Sequence, residues 1–208
     1  MFDNKEKIIE DISRISKIHK SRIHNIYLFG SRVYQTHTNK SDYDIILVAN
    51  NSVECVEIKH PIYNIHIYTP DKFKSDLLWH RPQNMECIFA PDFAKIQENI
   101  KYDLDIDIKK IRHSISHVSS NSWVKAKKKM TLSNEDKNIG LKSLFHSLRI
   151  PIFAIQILKD GRITNFSEAN DIWFHIRNNS YQDWDYFNKY YKKLHNKILS
   201  DFRLLTKK

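Results

Sequence analysis

Cysteine, glycine and long apolar runs are all scarce in this chain. Its 208 residues include two cysteines and three glycines. Cys55 and Cys87 form no CxxC motif, which argues against a disulfide framework or a structural zinc site and favours a reducing intracellular setting. No apolar run approaches the roughly 20 residues of a membrane span, and the charged start MFDNKEKIIE is unlike a secretory signal. We therefore expect a cytoplasmic protein with no membrane partner.

Positive charge is in excess. The chain has 34 Lys and Arg against 24 Asp and Glu, a formal net charge of +10, in a globular composition that is 41% hydrophobic. The positive electrostatic potential of such a chain favours binding of polyanions, which include RNA, DNA, nucleotides and anionic membrane surfaces. Solubility, together with a compositional bias toward Lys, Asn and Ile, is the alternative explanation.

The first half of the chain alternates between helical and strand patterns. Hydrophobic spacing predicts a helix over 4–20, a short helix over 31–36, and strands over 23–29, 42–49, 53–60 and 62–68. TPDKF predicts a further helix, with Thr69 as its N-cap and Pro70 at its first position. These elements indicate a small α/β domain.

The second half shows no convincing strand after about Leu104. Helices are predicted over 106–130, 133–159 and 181–206, and Pro151 is expected to kink or split the middle one. The fold is therefore predicted to be α+β: a small mixed sheet flanked by helices in domain 1–104, followed by an all-helical domain, 105–208.

The strongest candidate site lies in LFGSRVYQTHTNKSDYDIILV. A strand ends at Gly30-Ser31, a short helix begins, and a second strand presents Asp42 and Asp44. Residues two apart on a strand point to the same side, so the two carboxylates project together. Their mutual repulsion is relieved by a bridging cation, and a hard divalent ion such as Mg²⁺ is the natural partner.

Gly30-Ser31 is predicted to bind phosphate. Glycine allows the backbone to approach a phosphate closely, while N–H groups at a helix start and the Ser31 hydroxyl can bind its oxygens. A phosphate cradle beside two metal-binding acids suits metal-assisted nucleotidyl transfer.

With these residues in place, the sequence resembles the DNA polymerase β-like nucleotidyltransferases. Gly30, Ser31, Asp42 and Asp44 match that superfamily's Gly-Ser turn and acid-any-acid strand in order. GSRVYQTHTNKSDYD is similar to the GSRAYG…SDYD pattern of predicted nucleotidyltransferases associated with RNA ligases. FKSDLLWHRPQNMECIFAP looks like their helix, Asn-containing turn and Leu-Glu-containing strand. The likeness covers roughly residues 23–93.

The resemblance implies that this is an enzyme with an Mg²⁺ or Mn²⁺ cofactor. It would transfer a nucleoside monophosphate from an NTP such as ATP to a hydroxyl acceptor and release pyrophosphate. The basic charge favours RNA over DNA as that acceptor, especially a tRNA or an RNA end, while protein and small-molecule acceptors stay open. The preferred NTP and the oligomeric state are not encoded in any motif.

A third acid is usual in the superfamily, and Asn64 occupies the best-placed position here. Its carbonyl can coordinate a cation but adds no charge. His66 shares its strand face and is a candidate metal ligand, and Glu86 is an alternative third acid. A catalytically weakened nucleotide- or RNA-binding protein, or an antitoxin-like module with a protein partner, is therefore the alternative reading.

Further basic residues are candidates for phosphate binding. Arg32 follows the Gly-Ser turn, and Lys142, His146 and Arg149 share one side of the middle helix. The alternatives are a surface arginine at a helix start and an ordinary polar helix face.

Two other patterns lie on the first long helix of the second half. His113 and His117 are four residues apart but have no evident third ligand, which favours a surface or interhelical role over a metal site. KAKKK, residues 125–129, follows Trp123, which suits nucleic-acid contact and stacking and equally suits a solvated helix end.

Overall fold

The computed structural model describes residues 5–50, 55–132 and 136–207. The chain divides into two compact units, Met1–Asp105 and Ile106–Lys208. The first unit carries a five-stranded sheet with helices, and the described part of the second unit is helical with no strand. The predicted α+β fold class is therefore confirmed.

The described residues of the first unit form four helices, five strands and one 3-10 turn. In chain order they are α1 (Lys5–Ser16), the turn Lys20–Arg22, β1 (Ile23–Phe29), α2 (Ser31–Tyr34), β2 (Tyr43–Ala49), β3 (Cys55–Lys59), β4 (Tyr63–Tyr68), α3 (Pro70–Leu78), α4 (Pro82–Ile88) and β5 (Lys95–Glu98).

The sheet is mixed, with strand order β3-β4-β2-β1-β5. Strands β2 and β4 run parallel, and every other neighbouring pair is antiparallel. Ile45, Ile46 and Leu47 of central β2 are fully buried, which explains its unbroken apolar run. Strand β4 alternates instead, so Asn64 and His66 share its half-buried face.

Helix α3 covers one face of this sheet. The Phe73 ring stacks on Tyr27 of β1 at 5.9 Å between ring centroids and meets Tyr68 of β4 edge-on at 6.0 Å. Thr69 caps the helix, because its side chain accepts a hydrogen bond from the Lys72 backbone N–H at 3.1 Å. The predicted cap and the Pro70 start are confirmed, and this packing fixes the strands whose ends carry the candidate site.

The predicted strands 23–29, 42–49 and 62–68 correspond to β1, β2 and β4 within one residue at either end. Strand β3 and helix α1 lie inside their predicted ranges. The parts of those ranges at residues 4, 53 and 54 fall outside the described residues.

One strand prediction in this unit is wrong. The stretch around Glu86, expected to be a strand, is helix α4, which begins at Pro82 and buries Asn84, Met85, Glu86 and Cys87. Proline at the first helical position favours a helix start. The next strand along the chain is β5, further on, and it pairs with β1.

The second unit contains α5 (Ile108–Leu132), α6 (Lys137–Asp160), α7 (Asn170–Asn178) and α8 (Trp184–Leu205). The three predicted helices correspond to α5, α6 and α8, although residues 133–135 at the predicted start of α6 lie outside the described residues. The sequence analysis missed α7. Only Ile176 of this short helix is buried, so its apolar stripe is weak.

Within the described part of the chain, α6 is the one helix long and apolar enough to cross a membrane by length and composition, contrary to the expectation of no such run. However, 72% of its apolar window is buried inside the structure. The core helix of a globular protein meets the same criterion, so we assign no membrane span.

Pro151 does not split α6, which runs unbroken from Lys137 to Asp160. Proline lacks the N–H that would bond the carbonyl four residues earlier, at Ser147. The Ser119 hydroxyl of α5 donates to that carbonyl at 2.7 Å and lies 3.1 Å from His195 Nε2 of α8. The bond that Pro151 removes is thus replaced by one between helices, and the predicted split is wrong.

We expect the second unit to lose stability in acid through His195. Burial first, and then the Arg203 charge, lower its pKa to about 4, below the ordinary value near 6.5. A lowered folded-state pKa means that this stability is complete above about pH 6.5 and is lost as pH falls through 4. The free energy of unfolding should drop by roughly 3 kcal/mol over that window from this residue alone.

Urea unfolding of the wild type and a His195→Gln variant, at about pH 7, 5.5 and 4, measures this loss. The variant should be less stable near pH 7 and show a flatter dependence on pH, because Gln does not titrate. Parallel pH profiles for the two proteins would contradict the assignment.

Candidate functional site

Gly30 forms a tight turn at the end of β1. Its φ is +75°, a backbone conformation that glycine adopts readily. A Cβ at this position would lie 2.5 Å from Asp44 Oδ2 and 3.2 Å from Asp44 Cγ. The turn therefore lies directly against the Asp44 carboxylate, and only a residue without a side chain fits there.

Ser31 opens α2 immediately after this turn. The Gly30 carbonyl accepts hydrogen bonds from the N–H groups of Val33 and Tyr34, at 3.0 and 3.2 Å, which closes the first helical turn. Because α2 has only four residues, its dipole is small. Phosphate binding at this turn would depend on N–H groups and the Ser31 hydroxyl, which is half-buried.

Asp42 and Asp44 stand at the start of β2. Asp42 precedes the strand and is exposed, whereas Asp44 is its second residue and is half-buried. Asp44 pairs with Phe29 of antiparallel β1 and with Asn64 of parallel β4. The sheet register thus brings Asp44 beside both the glycine turn and the predicted third ligand.

Asn64 presents an unsatisfied oxygen at this point. Its side-chain N–H₂ donates to Asp44 Oδ1 at 3.4 Å and faces His66 Nε2 at 3.3 Å. Its Oδ1 is buried and accepts no hydrogen bond from any described residue. A buried amide oxygen without a donor is costly, and a cation would satisfy it.

His66 is a hydrogen-bond partner of the Asn64 side chain. Burial is the main cause that lowers the pKa of His66 below its ordinary value, with Glu57 opposing the shift and Lys59 adding to it. The neutral ring can accept the Asn64 N–H at Nε2, which uses the lone pair that a metal would need. The prediction that His66 is itself a metal ligand stays a prediction.

Replacing Asn64 by Asp is expected to make stability depend on divalent ions. The new carboxylate would lie against Asp44 and repel it, lowering the free energy of unfolding by about 1 kcal/mol or more, or roughly 2–4 °C in Tm. Mg²⁺ should reverse the loss, because three carboxylates then share the ion.

Thermal unfolding with and without Mg²⁺ measures this effect. Asn50→Asp is the matched control. Asn50 is exposed, and its replacement by Asp adds the same charge away from the paired acids. An equal Mg²⁺ response in both variants would contradict the proposed ligand position.

Arg32 is held by the loop that leads into β2. Its Nε donates to the Asp42 carbonyl at 3.1 Å and its terminal nitrogen donates to the Ser41 carbonyl. The guanidinium also lies over the Tyr43 ring, 3.6 Å from the centroid. Arg32 thus fastens the acid-bearing loop, a role the sequence analysis missed, and its predicted contact with phosphate stays a prediction.

Glu86 is not grouped with the paired acids. It is buried on α4 and accepts a hydrogen bond from the Tyr34 hydroxyl at the end of α2. Among residues 5–50, 55–132 and 136–207, no three His, Cys, Asp or Glu side chains are placed to hold a metal together. The site therefore offers two carboxylates and one amide oxygen, without a third acid.

Lys142, His146 and Arg149 lie on α6 in the second unit. Lys142 is exposed, while Arg149 is only 3% exposed and lies 4.8 Å over the Phe153 ring. His146 Nδ1 is 3.2 Å from the Arg149 guanidinium, and burial first lowers the pKa of His146 to about 3. Only Lys142 of the three presents its charge to solvent, and their predicted role in triphosphate binding stays a prediction.

Comparison with known proteins points to the same segment. Residues 10–86 match the family model described as Polymerase beta, Nucleotidyltransferase. No curated protein matches the chain. Among solved structures, a nucleotidyltransferase-like protein from Exiguobacterium sibiricum 255-15 is similar at 12% identity and a TM-score of 0.36, covering 98% of this chain and 74% of that one. The segment that holds the glycine turn and the paired acids is thus similar to a polymerase β-type nucleotidyltransferase domain.

Proposed function

We propose that this protein is a divalent-metal-dependent nucleotidyltransferase that moves a nucleoside monophosphate from an NTP to a hydroxyl acceptor. The observation that carries the proposal is the contact between Gly30 and Asp44: the turn has no room for a Cβ against the carboxylate. We place the catalytic core in residues 1–104 and an accessory helical domain in residues 105–208.

The residues of the site fit a hard divalent cation. Asp42 and Asp44 supply anionic oxygens, and the buried Asn64 Oδ1 supplies a neutral one. Mg²⁺ binds in proteins through one or two carboxylates and completes its shell with water and substrate phosphates. When bound, the ion would neutralise the triphosphate and lower the pKa of the attacking hydroxyl.

The glycine turn would hold the terminal phosphates. The Val33 and Tyr34 N–H groups already donate to the Gly30 carbonyl, so the Ser31 and Arg32 N–H groups and the Ser31 hydroxyl would meet the β- and γ-phosphate oxygens. The guanidinium of Arg32 has five N–H donors, and its hydrogen bonds to the loop use only two nitrogens. Its remaining donors support the proposed phosphate contact.

The reaction forms one bond and breaks one. The acceptor oxygen attacks the α-phosphorus, the bond from that phosphorus to the bridging oxygen breaks, and pyrophosphate leaves. The acceptor proton passes to solvent or to a carboxylate of the pair. The contribution of Asp42 and Asp44 is to fix charge where it develops in the transition state.

RNA is the proposed acceptor. The net charge of +10 favours a polyanion over a neutral small molecule. Protein and small-molecule hydroxyls are the other acceptors that the same core supports.

Asn64 favours a second candidate function, a nucleotide-binding protein with little or no turnover. With an amide in place of a third carboxylate, the site has less negative charge to hold a catalytic ion. Such a protein would bind NTP in an Mg²⁺-dependent way without releasing pyrophosphate.

Pyrophosphate release measured together with NTP binding separates the two candidates. The wild-type chain is incubated with each NTP, Mg²⁺ or Mn²⁺, and total RNA, protein or small-molecule pools in turn. Pyrophosphate release that depends on one pool supports the transferase and identifies the acceptor class. NTP binding without release in every pool would replace it with the binding protein.

A further inference from the structure

Helix α5 carries no acidic residue over its 25 positions. It holds seven Lys and Arg residues, at 109, 110, 112, 125, 127, 128 and 129. Exposed helices ordinarily place Glu or Asp three or four residues from Lys or Arg, because such pairs stabilise the helix while like charges destabilise it. Repulsion among these cations lowers the stability of α5, and a bound anion would reduce that repulsion.

The first turn of α5 likewise carries positive charge without an acidic residue. Lys109 and Lys110 lie in the first turn, where the helix dipole disfavours positive charge, and no acid lies in that turn. The N–H groups of both residues are capped by Asp107 Oδ1 at 3.0 Å. The N–H groups at the helix end are therefore satisfied, and Lys110 also forms an ion pair with Asp107 Oδ2 at 3.8 Å, so Lys109 is the first-turn cation that we assign to the stripe below.

The exposed side chains of α5 form a single stripe. Positions three and four apart along the helix lie on one face, and Lys109 and Lys127 are separated by about five turns. Between them, one shallow depression is lined by Lys109, Arg112, His113, Ser116, His117, Ser120 and Asn121. We call Lys109, Arg112, Lys127 and the depression between them the α5 stripe.

The stripe offers hydrogen-bond donors as well as charge. Asn121 Nδ2 lies 2.9 Å from His117 Nε2, and the His113 and His117 rings stack at 6.0 Å. These polar groups lie between Arg112 and Lys127, so the stripe has cations at its two ends and polar side chains in its middle, which suits an extended anion that has both charged and neutral oxygens.

The net positive charge of the chain comes from the unit that contains this helix. Residues 1–105 contain 14 Lys and Arg and 15 Asp and Glu, a net charge of −1. Residues 106–208 contain 20 and 9, a net charge of +11. The field that favours polyanions therefore comes entirely from the helical unit.

We propose that the α5 stripe binds the sugar-phosphate backbone of an RNA strand. The stripe cations neutralise phosphates, and the Ser and Asn side chains meet 2′-hydroxyls and phosphate oxygens. The proposal rests on the proposed function only in making this RNA the acceptor, since binding itself needs neither NTP nor metal.

A membrane surface fits the stripe less well. Amphipathic helices bind membranes by burying an apolar face in lipid. The apolar face of α5 is already buried within its unit, where Ile111, Ile115 and Ala126 have 1% exposure or less. Val124 and Leu132 are exposed on α5, but its other exposed residues are polar, so its exposed face suits phosphates better than acyl chains.

Base stacking is not part of the interface. Trp123 packs against His195, with 4.4 Å between ring centroids, and against Trp184 at 5.3 Å. Trp123 thus has one ring face against His195 and lies outside the α5 stripe, and its predicted stacking role beside KAKKK stays a prediction. Binding through the backbone alone implies affinity with little base preference and a strong dependence on salt.

The test compares two charge-matched triple variants of the full chain. Lys109→Gln, Arg112→Gln, Lys127→Gln removes three cations from the stripe. Lys192→Gln, Lys193→Gln, Lys197→Gln removes three exposed cations from α8 in the same unit. Circular dichroism and thermal unfolding establish that each variant keeps its helices.

Fluorescence anisotropy with a labelled mixed-sequence RNA, without NTP or Mg²⁺, gives Kd over a range of salt concentrations. The stripe variant should bind at least about tenfold more weakly, and the slope of log K against log salt should fall by about 2. The α8 variant should show a much smaller loss of RNA affinity and a much smaller change in the salt slope. Equal losses in the two variants, no loss in the stripe variant, or binding of anionic phosphatidylserine vesicles but not RNA would overturn the proposal.

An Asp42→Asn, Asp44→Asn variant separates this inference from the proposed function. Its RNA affinity should equal that of the wild type, because the stripe does not involve the acids. If the wild type binds RNA but transfers no nucleotide, the RNA-binding proposal stands and the proposed transferase activity fails. If it transfers nucleotide to a non-RNA acceptor and does not bind RNA, the transferase activity stands and the RNA-binding proposal fails.

Discussion

Replacing Asp42 and Asp44 by Asn should lower the rate of nucleotidyl transfer by about 10³-fold or more. Asp44 lies against the Gly30 turn and Asp42 lies two residues before Asp44 in the sequence, so in the proposed mechanism the loss of both acids removes several kcal/mol of charge stabilisation from the transition state. Asn has nearly the same shape, and the sheet register of β2 should be kept. Steady-state pyrophosphate release and label transfer measure the loss.

A second Asp-any-Asp sequence provides the control. Asp103 and Asp105 are both exposed and lie in a segment without helix or strand. Asp103→Asn, Asp105→Asn changes the net charge by the same amount and should leave the rate within about twofold of the wild type, as surface substitutions generally do. Similar losses in the two double variants would show that the effect is one of net charge, and the assignment of the acids would fail.

Gly30→Ala is the second change with a large expected effect. An alanine at φ +75° and ψ −152°, a region that is essentially restricted to glycine, costs about 1–3 kcal/mol, and its Cβ would lie 2.5 Å from Asp44 Oδ2. The carboxylate must then move away from its position beside Asn64. A displacement of about 1 Å at a reacting centre costs roughly 10²-fold in rate. Thermal unfolding and pyrophosphate release should both show the loss.

Gly161→Ala isolates the steric part of that effect. Gly161 has φ +73° at the end of α6, but a Cβ there meets nothing within 4 Å. It should lose stability from the backbone conformation and keep its transfer rate. Equal loss of activity in the two variants would mean that the contact with Asp44 does not matter.

Much of the sheet could be predicted because its strands carry simple patterns. The apolar run of β1 stops at glycine, β2 is apolar from Ile45 onward, and β4 alternates with a period of two. Asp44 was likewise readable as a residue at the start of a strand, whereas Asp42, also expected on that strand, lies just before it. These features are local, and local pattern is what a single sequence reports well.

Other features differ from what the sequence indicated. The stretch around Glu86 was expected to be a strand from its resemblance to a family segment, but it is helix α4, which begins at Pro82. Pro151 was expected to kink or split α6; it does not split the helix, and the bond that replaces the lost one comes from Ser119, which is 28 residues away from Ser147. No local pattern encodes that bond.

The candidate site shows the same limit. The sequence indicated Asn64 as the third ligand position, but its contact with Asp44 depends on the parallel pairing of β2 with β4. The attachment of Arg32 to its loop and to Tyr43 was not visible from spacing either. An aromatic residue between the two acids was the one signal that could have suggested it.

Parallel reactions with α-labelled and γ-labelled NTP test the central claim most directly. Each contains the wild-type chain, Mg²⁺ and the RNA pool, and the RNA and pyrophosphate are then separated. Nucleotidyl transfer predicts α-label on the RNA and γ-label only in pyrophosphate, with both lost in the Asp42→Asn, Asp44→Asn variant. Label from the γ-phosphate on the acceptor, or no α-label on any RNA, protein or small-molecule pool, would contradict it.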